Sequence, residues 1–258
     1  MKVAVGQPKT KLGQKEYNLQ SISAMTRLLT KREVDLACFP ELCTTGYALY
    51  DTWHKVAEPV PGPTTYELGK VAREAGLYLI AGIAEKGGGG ALYDSAIVID
   101  PRGEVAGTYR KVHLWDKERL YFTRGDSFPT FETKHCKIGI GICYDLEFPE
   151  SARAMAVDGA TLLLFPSAQS KWMNRHIDVY AASRAAENCA FVAFSNLSGR
   201  EPGEVYLGHS QIVSPGCKVL ASVKASYGTA VAEVDFKELD RYKAHLPYLE
   251  QRVPSAYR

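Results

Sequence analysis

The chain alternates short apolar runs with longer amphipathic segments. The apolar runs predict strands at 3–6, 34–39, 77–84, 93–99 and 104–109 in the first half, and at 137–142, 161–165, 190–195, 210–213, 218–222 and 229–234 in the second. Apolar residues at helical spacing predict helices ending near Lys31 and spanning 174–187, with another beginning at Phe148. Thr64 and Glu67 have the spacing of a capping box, which predicts a helix that opens there and closes at Gly76.

The order of these elements is similar in the two halves. Each half runs strand, helix, strand, helix and then several strands, and no low-complexity linker separates the halves. Alternating strands and helices favour an α/β fold in which helices cover sheets. We therefore predict two stacked sheets within one layered domain over 1–258, with each half forming one sheet.

Two features favour an assembly of more than one chain. The tail 237–258 is rich in aromatic residues and proline, so we expect it to pack on the body of the protein or on a second subunit. The predicted helix 174–187 carries four small residues suited to close helix contact: Ala181, Ala182, Ala185 and Ala186. We expect a homodimer or a higher homo-oligomer.

The segment 137–150 places a cysteine where chemistry is often found. Its first part alternates Ile and Gly as a buried strand, and Phe148 with Pro149 opens a helix, so Cys143 lies in the turn between them. Such a turn projects a side chain from the carboxyl end of a sheet, and nearby helix amides favour a thiolate. A buried structural cysteine is the open alternative, because cysteine is among the most buried residue types.

Two charged residues also follow strands. Glu41 comes just after the strand at 34–39, and Lys111 follows the strand at 104–109. A cysteine hydrolase needs a base for the thiol proton, a positive group for the developing oxyanion and the thiolate itself. Each residue taken singly could instead be a solvated surface charge.

Composition excludes some classes of partner. The 31 basic and 29 acidic residues give a net charge of +2, which offers no argument for nucleic acid or an anionic membrane. No apolar run is long enough to span a bilayer, and the amino terminus resembles a strand rather than a signal peptide. The 6 cysteines show no CxxC spacing that would indicate zinc or a redox pair. We expect a cytoplasmic protein without metal or cofactor.

Three stretches resemble the signatures of the nitrilase superfamily of carbon–nitrogen hydrolases. They are FPELCTTGY at 39–47, YRKVHL at 109–114 and GICYDLEFPE at 141–150. Their order and spacing agree with the family, and the similarity covers essentially the whole chain. The resemblance implies a four-layer αββα sandwich that usually dimerises, with Glu41 as general base, Lys111 as oxyanion stabiliser and Cys143 as nucleophile. It also implies a second catalytic glutamate at Glu118, if one residue is missing before it; an exposed charge is the alternative.

The resemblance leaves the substrate open among amides, nitriles and carbamoyl compounds. Many relatives have arginine where this chain has Glu147, which would repel a substrate carboxylate. The residues around Cys143 and the tripeptide Pro-Tyr-Leu at 247–249 look similar to aliphatic and ω-amino-amide amidases. We therefore favour hydrolysis of a small, neutral or amine-bearing linear primary amide through a thioester. A nitrilase or an N-carbamoyl-amine hydrolase is the alternative, and Glu147 could instead cap the helix or pair with an arginine.

The pocket walls are expected from residues near the signatures. Tyr47 and Tyr144 adjoin them, and the loop 167–172 at another strand end supplies Ala168 and Trp172. A tryptophan in a subunit contact is an equal alternative for Trp172. His113 and His176 could suggest a Cys–His pair, but Glu41 already fills the role of base. A catalytically silent binding protein on the same fold remains a further reading, against which the complete catalytic set argues.

Overall fold

A computed structural model describes residues 1–257. In chain order its strands are β1 (Lys2–Gln7), β2 (Leu36–Cys38), β3 (Tyr78–Lys86), β4 (Leu92–Ile99), β5 (Val105–Arg110), β6 (Thr130–Glu132), β7 (Lys137–Ile140), β8 (Leu162–Ser167), β9 (Phe191–Asn196), β10 (Ser198–Glu201), β11 (Glu204–Leu207), β12 (Gln211–Val213), β13 (Val219–Ser222) and β14 (Gly228–Glu233). The α-helices are α1 (Lys15–Thr30), α2 (Trp53–Val56), α3 (Pro63–Ala75), α4 (Pro149–Val157), α5 (Asn174–Asn188) and α6 (Phe236–His245).

Two mixed six-stranded sheets form the centre of the fold. The first has the order β14-β1-β2-β3-β4-β5, and the second has the order β13-β12-β9-β8-β7-β6. Strands β1, β2 and β3 are parallel neighbours, as are β7, β8 and β9. The strands next to them pair antiparallel: β14 with β1 and β4 with β3 in the first sheet, and β6 with β7 and β12 with β9 in the second. The strands β10 and β11 form a separate hairpin.

The sheets pack face to face on alternate side chains. One buried cluster joins Val3 and Val5 of β1 with Ile138 and Ile140 of β7. Successive side chains of a strand point to opposite faces, so the residues between them face outward. Because both faces of these strands are covered, their central residues are apolar on both faces and show no polar alternation.

The outward faces are covered by helices. On the first sheet, Ala4 belongs to a cluster with Ile22 of α1 and Leu68 of α3. On the second sheet, Leu163 belongs to a cluster with Met155 of α4 and with residues of α5. The resulting order of layers is helix, sheet, sheet, helix, which confirms the predicted αββα sandwich.

The Ile-Gly alternation of β7 has a packing cause. Ile138 and Ile140 fill the space between the sheets. Gly139 faces α4, where an added Cβ would lie only 2.7 Å from atoms of Met155. Glycine at this position therefore lets α4 approach the strand that leads to Cys143.

The assignment of one sheet to each half of the chain is wrong. Strand β14, predicted at 229–234, pairs antiparallel with β1 and forms an edge of the first sheet. Periodicity locates a strand but contains no information about its partner. The short strands β6, β10 and β11 were not predicted, since each has only three or four residues and Ser198–Glu201 contains no apolar side chain.

The predicted capping box of α3 is also wrong. The helix begins at Pro63, one residue earlier, and the Gly62 N–H donates to Thr65 Oγ1 at 2.8 Å. Glu67 is instead exposed and pairs with Lys70. Proline at the first position, which fixes a helical φ, decides where the helix starts. The predicted end is correct, because Gly76 adopts the left-handed conformation at φ 68°.

The Ala-rich helix α5 turns two of its alanines inward. Ala181 and Ala185 are buried against the second sheet, so they are not available for contact with another chain. Ala182 and Ala186 are partly exposed. Within residues 1–257, none of the helices has both the length and the apolar character needed to cross a membrane.

Candidate active site

The ends of three strands meet at one edge of the sandwich. Glu41 follows β2 and Lys111 follows β5, both in the first sheet, and Cys143 follows β7 in the second sheet. Glu41 and Lys111 are fully buried, and Cys143 is 9% exposed. The two charged residues are therefore not the solvated surface groups that their sequence context allowed.

The position of Glu41 depends on a close approach of backbones. A Cβ added at Gly82 of β3 would lie 2.6 Å from Glu41 Cα and 2.3 Å from the Leu42 nitrogen. The Gly82 N–H donates to the Pro40 carbonyl at 3.1 Å. Glycine in β3 thus lets the loop after β2 pack directly on the sheet, which holds the Glu41 backbone in place.

Lys111 is the cation of a buried cluster. Its Nζ lies 2.6 Å from Glu41 Oε1, 2.7 Å from Glu118 Oε1 and 3.6 Å from Asp94 Oδ2. Burial alone would lower the pKa of Lys111, but the charges of Glu118 and Glu41 outweigh it and raise this pKa well above its ordinary value. Lys111 is therefore an ammonium near neutral pH.

Glu118 lies inside the cluster, as the resemblance implies. It sits in a short 3-10 helix, Asp116–Leu120, and is 1% exposed. Its Oε1 accepts from the Tyr47 hydroxyl at 2.7 Å as well as from Lys111, and its Oε2 accepts from the Trp115 N–H at 2.8 Å. Three donors thus fix both carboxylate oxygens.

Cys143 begins a second 3-10 helix, Cys143–Glu147, with φ at +49°. Non-glycine residues seldom adopt this conformation, which persists only where the surroundings enforce it. Here Asp145 Oδ2 accepts from the Ile142 N–H at 2.8 Å and from the Tyr109 hydroxyl at 2.6 Å. Its Oδ1 lies 2.7 Å from Nδ1 of His113. These bonds stabilise the turn that projects the sulfur. The bond to Asp145 also engages Nδ1 of His113, so this nitrogen is not available to the sulfur.

Burial opposes the helix amides that favour a Cys143 thiolate. Burial raises the pKa of the Cys143 thiol well above its usual value, and the nearby Glu41 charge acts in the same direction. Lys111 and the Ala168 N–H lower this pKa, but by less. Near neutral pH the sulfur is therefore protonated, and it needs a base before it can attack.

Cys143 opens into a cavity of about 220 Å³. The five residues predicted to bind substrate all line it: Tyr47, Tyr144, Glu147, Ala168 and Trp172. Gln169 and Ser170, which belong to the predicted wall loop 167–172, line it as well. Two further lining residues, Trp115 and Met173, were not predicted from the sequence. The volume suits a small molecule rather than a drug-sized one.

Glu147 gives the cavity its electrostatic character. Among the described residues that line the cavity, it has the only carboxyl group, and none is lysine, arginine or histidine. Gln169 Nε2 donates to Glu147 Oε1 at 3.3 Å, while Arg184 bonds to the backbone carbonyl of Glu147. The side chain therefore has no arginine partner there. Burial raises the pKa of Glu147.

Trp172 stands at the rim of the cavity. It is 68% exposed, and its ring meets His176 edge-on at 6.2 Å. Trp172 thus lines the cavity and is exposed enough to contact a second subunit, so both interpretations of this residue stay open. His176 follows on α5 and is itself exposed.

Asp94 was not identified from the sequence. It is a fully buried acid in β4, and the carboxyl oxygens of Glu41, Asp94 and Glu118 lie within 4.8 Å of one another. Such a group of acids could hold a metal ion, but the Lys111 ammonium lies among them and supplies the positive charge. An aspartate inside a strand, where this residue type is disfavoured, was the available signal.

Comparison with known proteins agrees with this architecture. A profile described as carbon-nitrogen hydrolase matches residues 2–244. A nitrilase from Pyrococcus abyssi is 36% identical over 242 residues, which cover 91% of this chain and 90% of the relative. An omega-amidase from Homo sapiens is 31% identical over 256 residues, covering 94% of this chain and 92% of the relative.

A solved structure shows the same fold. An amidase from Nesterenkonia sp. is similar with a TM-score of 0.90 and 26% identity, covering 100% of this chain and 95% of that one. A structure of a variant of that amidase has the acetamide moiety of fluoroacetamide added covalently at the active-site cysteine.

Replacing Lys111 by methionine tests the charge balance of the cluster. The variant Lys111→Met should lose about 3–5 kcal/mol in free energy of unfolding near pH 8, because Glu41 and Glu118 would lack their cation. Unpaired buried carboxyls have a raised folded-state pKa, so the penalty sets in above the unfolded value of about 4.3 and grows with pH. Urea unfolding at a low and a high pH measures this trend.

The exposed Lys218 provides a matched control. The variant Lys218→Met should unfold like the wild type at both pH values. A loss for Lys111→Met that is the same at both pH values would contradict the account of the cluster.

Proposed function

Because this chain belongs to the carbon-nitrogen hydrolase family, we propose that it converts a small linear primary amide to a carboxylate and ammonia. Cys143 is the nucleophile, Glu41 the general base and acid, Lys111 the oxyanion stabiliser and Glu118 the residue that holds Lys111. The observation that carries the proposal is the fully buried Lys111–Glu41 pair at 2.6 Å beside a protonated cysteine that opens into a small cavity.

The first half of the reaction forms an acyl-enzyme. Glu41 takes the proton from the Cys143 thiol, and the sulfur attacks the amide carbonyl carbon. The charge that develops on the oxygen is stabilised by the Lys111 ammonium and the Tyr144 backbone N–H. The Tyr144 amide lies in the first turn of its 3-10 helix, where N–H groups have no partner inside the helix.

The second half releases the products. The carbon–nitrogen bond breaks as Glu41 gives its proton to the leaving nitrogen, so ammonia departs and a thioester to Cys143 remains. Glu41 then takes a proton from water, whose oxygen attacks the thioester carbonyl. The carbon–sulfur bond breaks, the carboxylic acid leaves and the thiol regains its proton, which restores the resting site.

The cavity favours a neutral or amine-bearing substrate. Its volume of about 220 Å³ limits the acyl group to a short chain. Glu147 would repel a carboxylate at the far end of that chain and attract an ammonium. The name of the omega-amidase relative refers to a terminal amide. In this chain, Glu147 argues against a substrate that carries a carboxylate at the end opposite its amide.

Nitrile hydrolysis is the second candidate. The Pyrococcus abyssi relative is named a nitrilase, and the same nucleophile could attack a nitrile carbon. Turnover of a nitrile and an amide with the same carbon skeleton separates the two activities. We expect the amide to be the faster substrate.

We also propose that the protein forms a homodimer through the face that carries α4 and α5. Val157 and Val179 are 53% and 61% exposed on these helices. The tail lies close by, because Arg252 and Tyr257 affect the pKa of Arg153 on α4, which burial lowers. Exposed apolar side chains on neighbouring helices support the choice of this face as the interface.

The nucleophile is tested by ammonia release from a panel of short primary amides. The variant Cys143→Ala should lose on the order of 10³-fold or more in rate, since no other group can form the thioester. Cys217→Ala, which changes an exposed cysteine, should keep the wild-type rate. Equal rates for Cys143→Ala and the wild type would reject the proposed function.

Substrate charge is tested with a neutral linear amide and its ω-amino and ω-carboxy analogues of equal length. The wild type should turn over the ω-carboxy amide most slowly, and Glu147→Gln should raise kcat/KM for it by about tenfold by removing like-charge repulsion. Glu150→Gln, a matched change at an exposed glutamate outside the cavity, should not. A wild-type preference for the ω-carboxy amide would contradict the assigned role of Glu147.

The assembly is tested by sedimentation. The wild type should sediment as a species of at least twice the chain mass, and Val179→Asp should shift it toward the monomer by placing a charge on the apolar face. Leu28→Asp changes an equally exposed apolar residue on α1, and it should leave the assembly intact. A monomeric wild type would rule out the dimer.

A further inference from the structure

Asp94 is a buried acid that has no role in the proposed mechanism. It lies on β4 opposite Ala84 of β3, and its backbone carbonyl accepts from the Lys111 N–H at 2.9 Å. Its side chain is fully buried beside the base Glu41. A buried acid at this place either carries a charge that the site must balance or keeps its proton.

The hydrogen bonds around Asp94 are incomplete. Among the described residues, no donor reaches either carboxyl oxygen of Asp94 or Glu41 Oε2, although all three atoms are buried. The Lys111 ammonium is directed elsewhere, since it lies 2.6 and 2.7 Å from Glu41 and Glu118 but 3.6 Å from Asp94. A buried acceptor without a donor is costly in free energy. Three such oxygens side by side therefore indicate that one of the two carboxyl groups is protonated and donates to the other.

The charge balance of the cluster also indicates that one of its acids is protonated. The titratable groups facing Asp94 are Glu41 from the loop after β2, Lys111 from the end of β5 and Glu118 from its 3-10 helix. Three ionised acids around one ammonium would leave an excess of two negative charges in a buried site. Burial and the Glu41 charge raise the pKa of Asp94 well above its usual value, and Lys111 opposes them only in part.

Glu118 is a poor place for this proton. Its two oxygens already accept from Lys111, the Tyr47 hydroxyl and the Trp115 N–H. Protonation of Glu118 would remove the negative charge to which these donors are bonded, including the charge that balances Lys111. Asp94 accepts no such bond, so a proton there displaces no donor.

We propose that Asp94 is a neutral carboxylic acid whose O–H donates a hydrogen bond to Glu41 Oε2, which makes it a positioning residue for the base. This single proton gives Glu41 Oε2 a donor and removes one negative charge from the cluster. A donor to the ionised form of Glu41 also keeps that carboxylate ready to accept the thiol proton. Asp94 holds its own proton throughout, while the transferred proton passes from sulfur to Glu41 and on to nitrogen.

The proposal rests on the role of Glu41 as the base, and Asp94→Asn tests it. Asparagine is neutral at every pH and can still donate to Glu41, so Asp94→Asn should keep kcat within a few-fold of the wild type and leave the pH profile in place. Asp94→Ala removes the donor, and it should lower kcat by about tenfold or more with little change in KM and shift the acidic limb of the profile. A loss of kcat in Asp94→Asn as large as in Asp94→Ala would overturn the proposal.

Two readouts do not need turnover. The infrared spectrum of the wild type near neutral pH should contain a protonated carboxyl band that Asp94→Asn lacks. Because the folded-state pKa of Asp94 is raised, the wild type loses stability as pH rises above the unfolded value of about 3.9, and Asp94→Asn does not. The variant should therefore gain relative stability with rising pH, by up to about tenfold in the folding equilibrium constant per pH unit.

These readouts separate the two proposals and do not depend on whether Asp94→Ala folds. If the carboxyl band is present but no amide is hydrolysed, the protonation of Asp94 stands and the proposed function fails. If amides are hydrolysed but the band is missing and the stability difference does not change with pH, Asp94 is ionised and this inference fails.

Discussion

The structure depends on one ammonium group held away from water among acids. Lys111 is fully buried, and its Nζ lies within 2.7 Å of two carboxylate oxygens. A buried charge is tolerated only when it is paired and its donors are bonded, so the cluster ties the loop after β2, the end of β5 and the helix of Glu118 to one another. The same charge that holds these segments together is the one available for a developing oxyanion.

The fold around this cluster makes the arrangement rigid. Gly82 lets the Glu41 loop rest on β3, and the Glu118 carboxylate is fixed by the Tyr47 hydroxyl. The Tyr47 backbone is held in turn by Glu201 of the β10–β11 hairpin, whose Oε2 accepts from the N–H groups of Tyr47 and Ala48 at 3.0 and 2.8 Å. The hairpin thus extends the support of the cluster to the wall of the cavity.

Sequence motifs were sufficient to predict the principal groups and walls of the site but not their electrostatic state. Glu41, Lys111 and Cys143 follow strands, so their meeting at one edge could be anticipated from the alternation of strands and helices. The protonated state of Cys143 could not be anticipated from the sequence, because burial and neighbouring charge depend on how closely the two sheets pack. Asp94 was missed although an aspartate within a strand was a signal for it, and the partner of β14 was missed because periodicity does not encode pairing.

Acyl transfer to Cys143 is the central claim, and intact-protein mass spectrometry of enzyme quenched during turnover of a short primary amide tests it most directly. The account predicts a mass increase equal to the acyl group, located by peptide mapping to Cys143 and lost when the substrate is exhausted. An enzyme that releases ammonia while no acyl group appears on Cys143, or while it appears on another cysteine, would contradict the account.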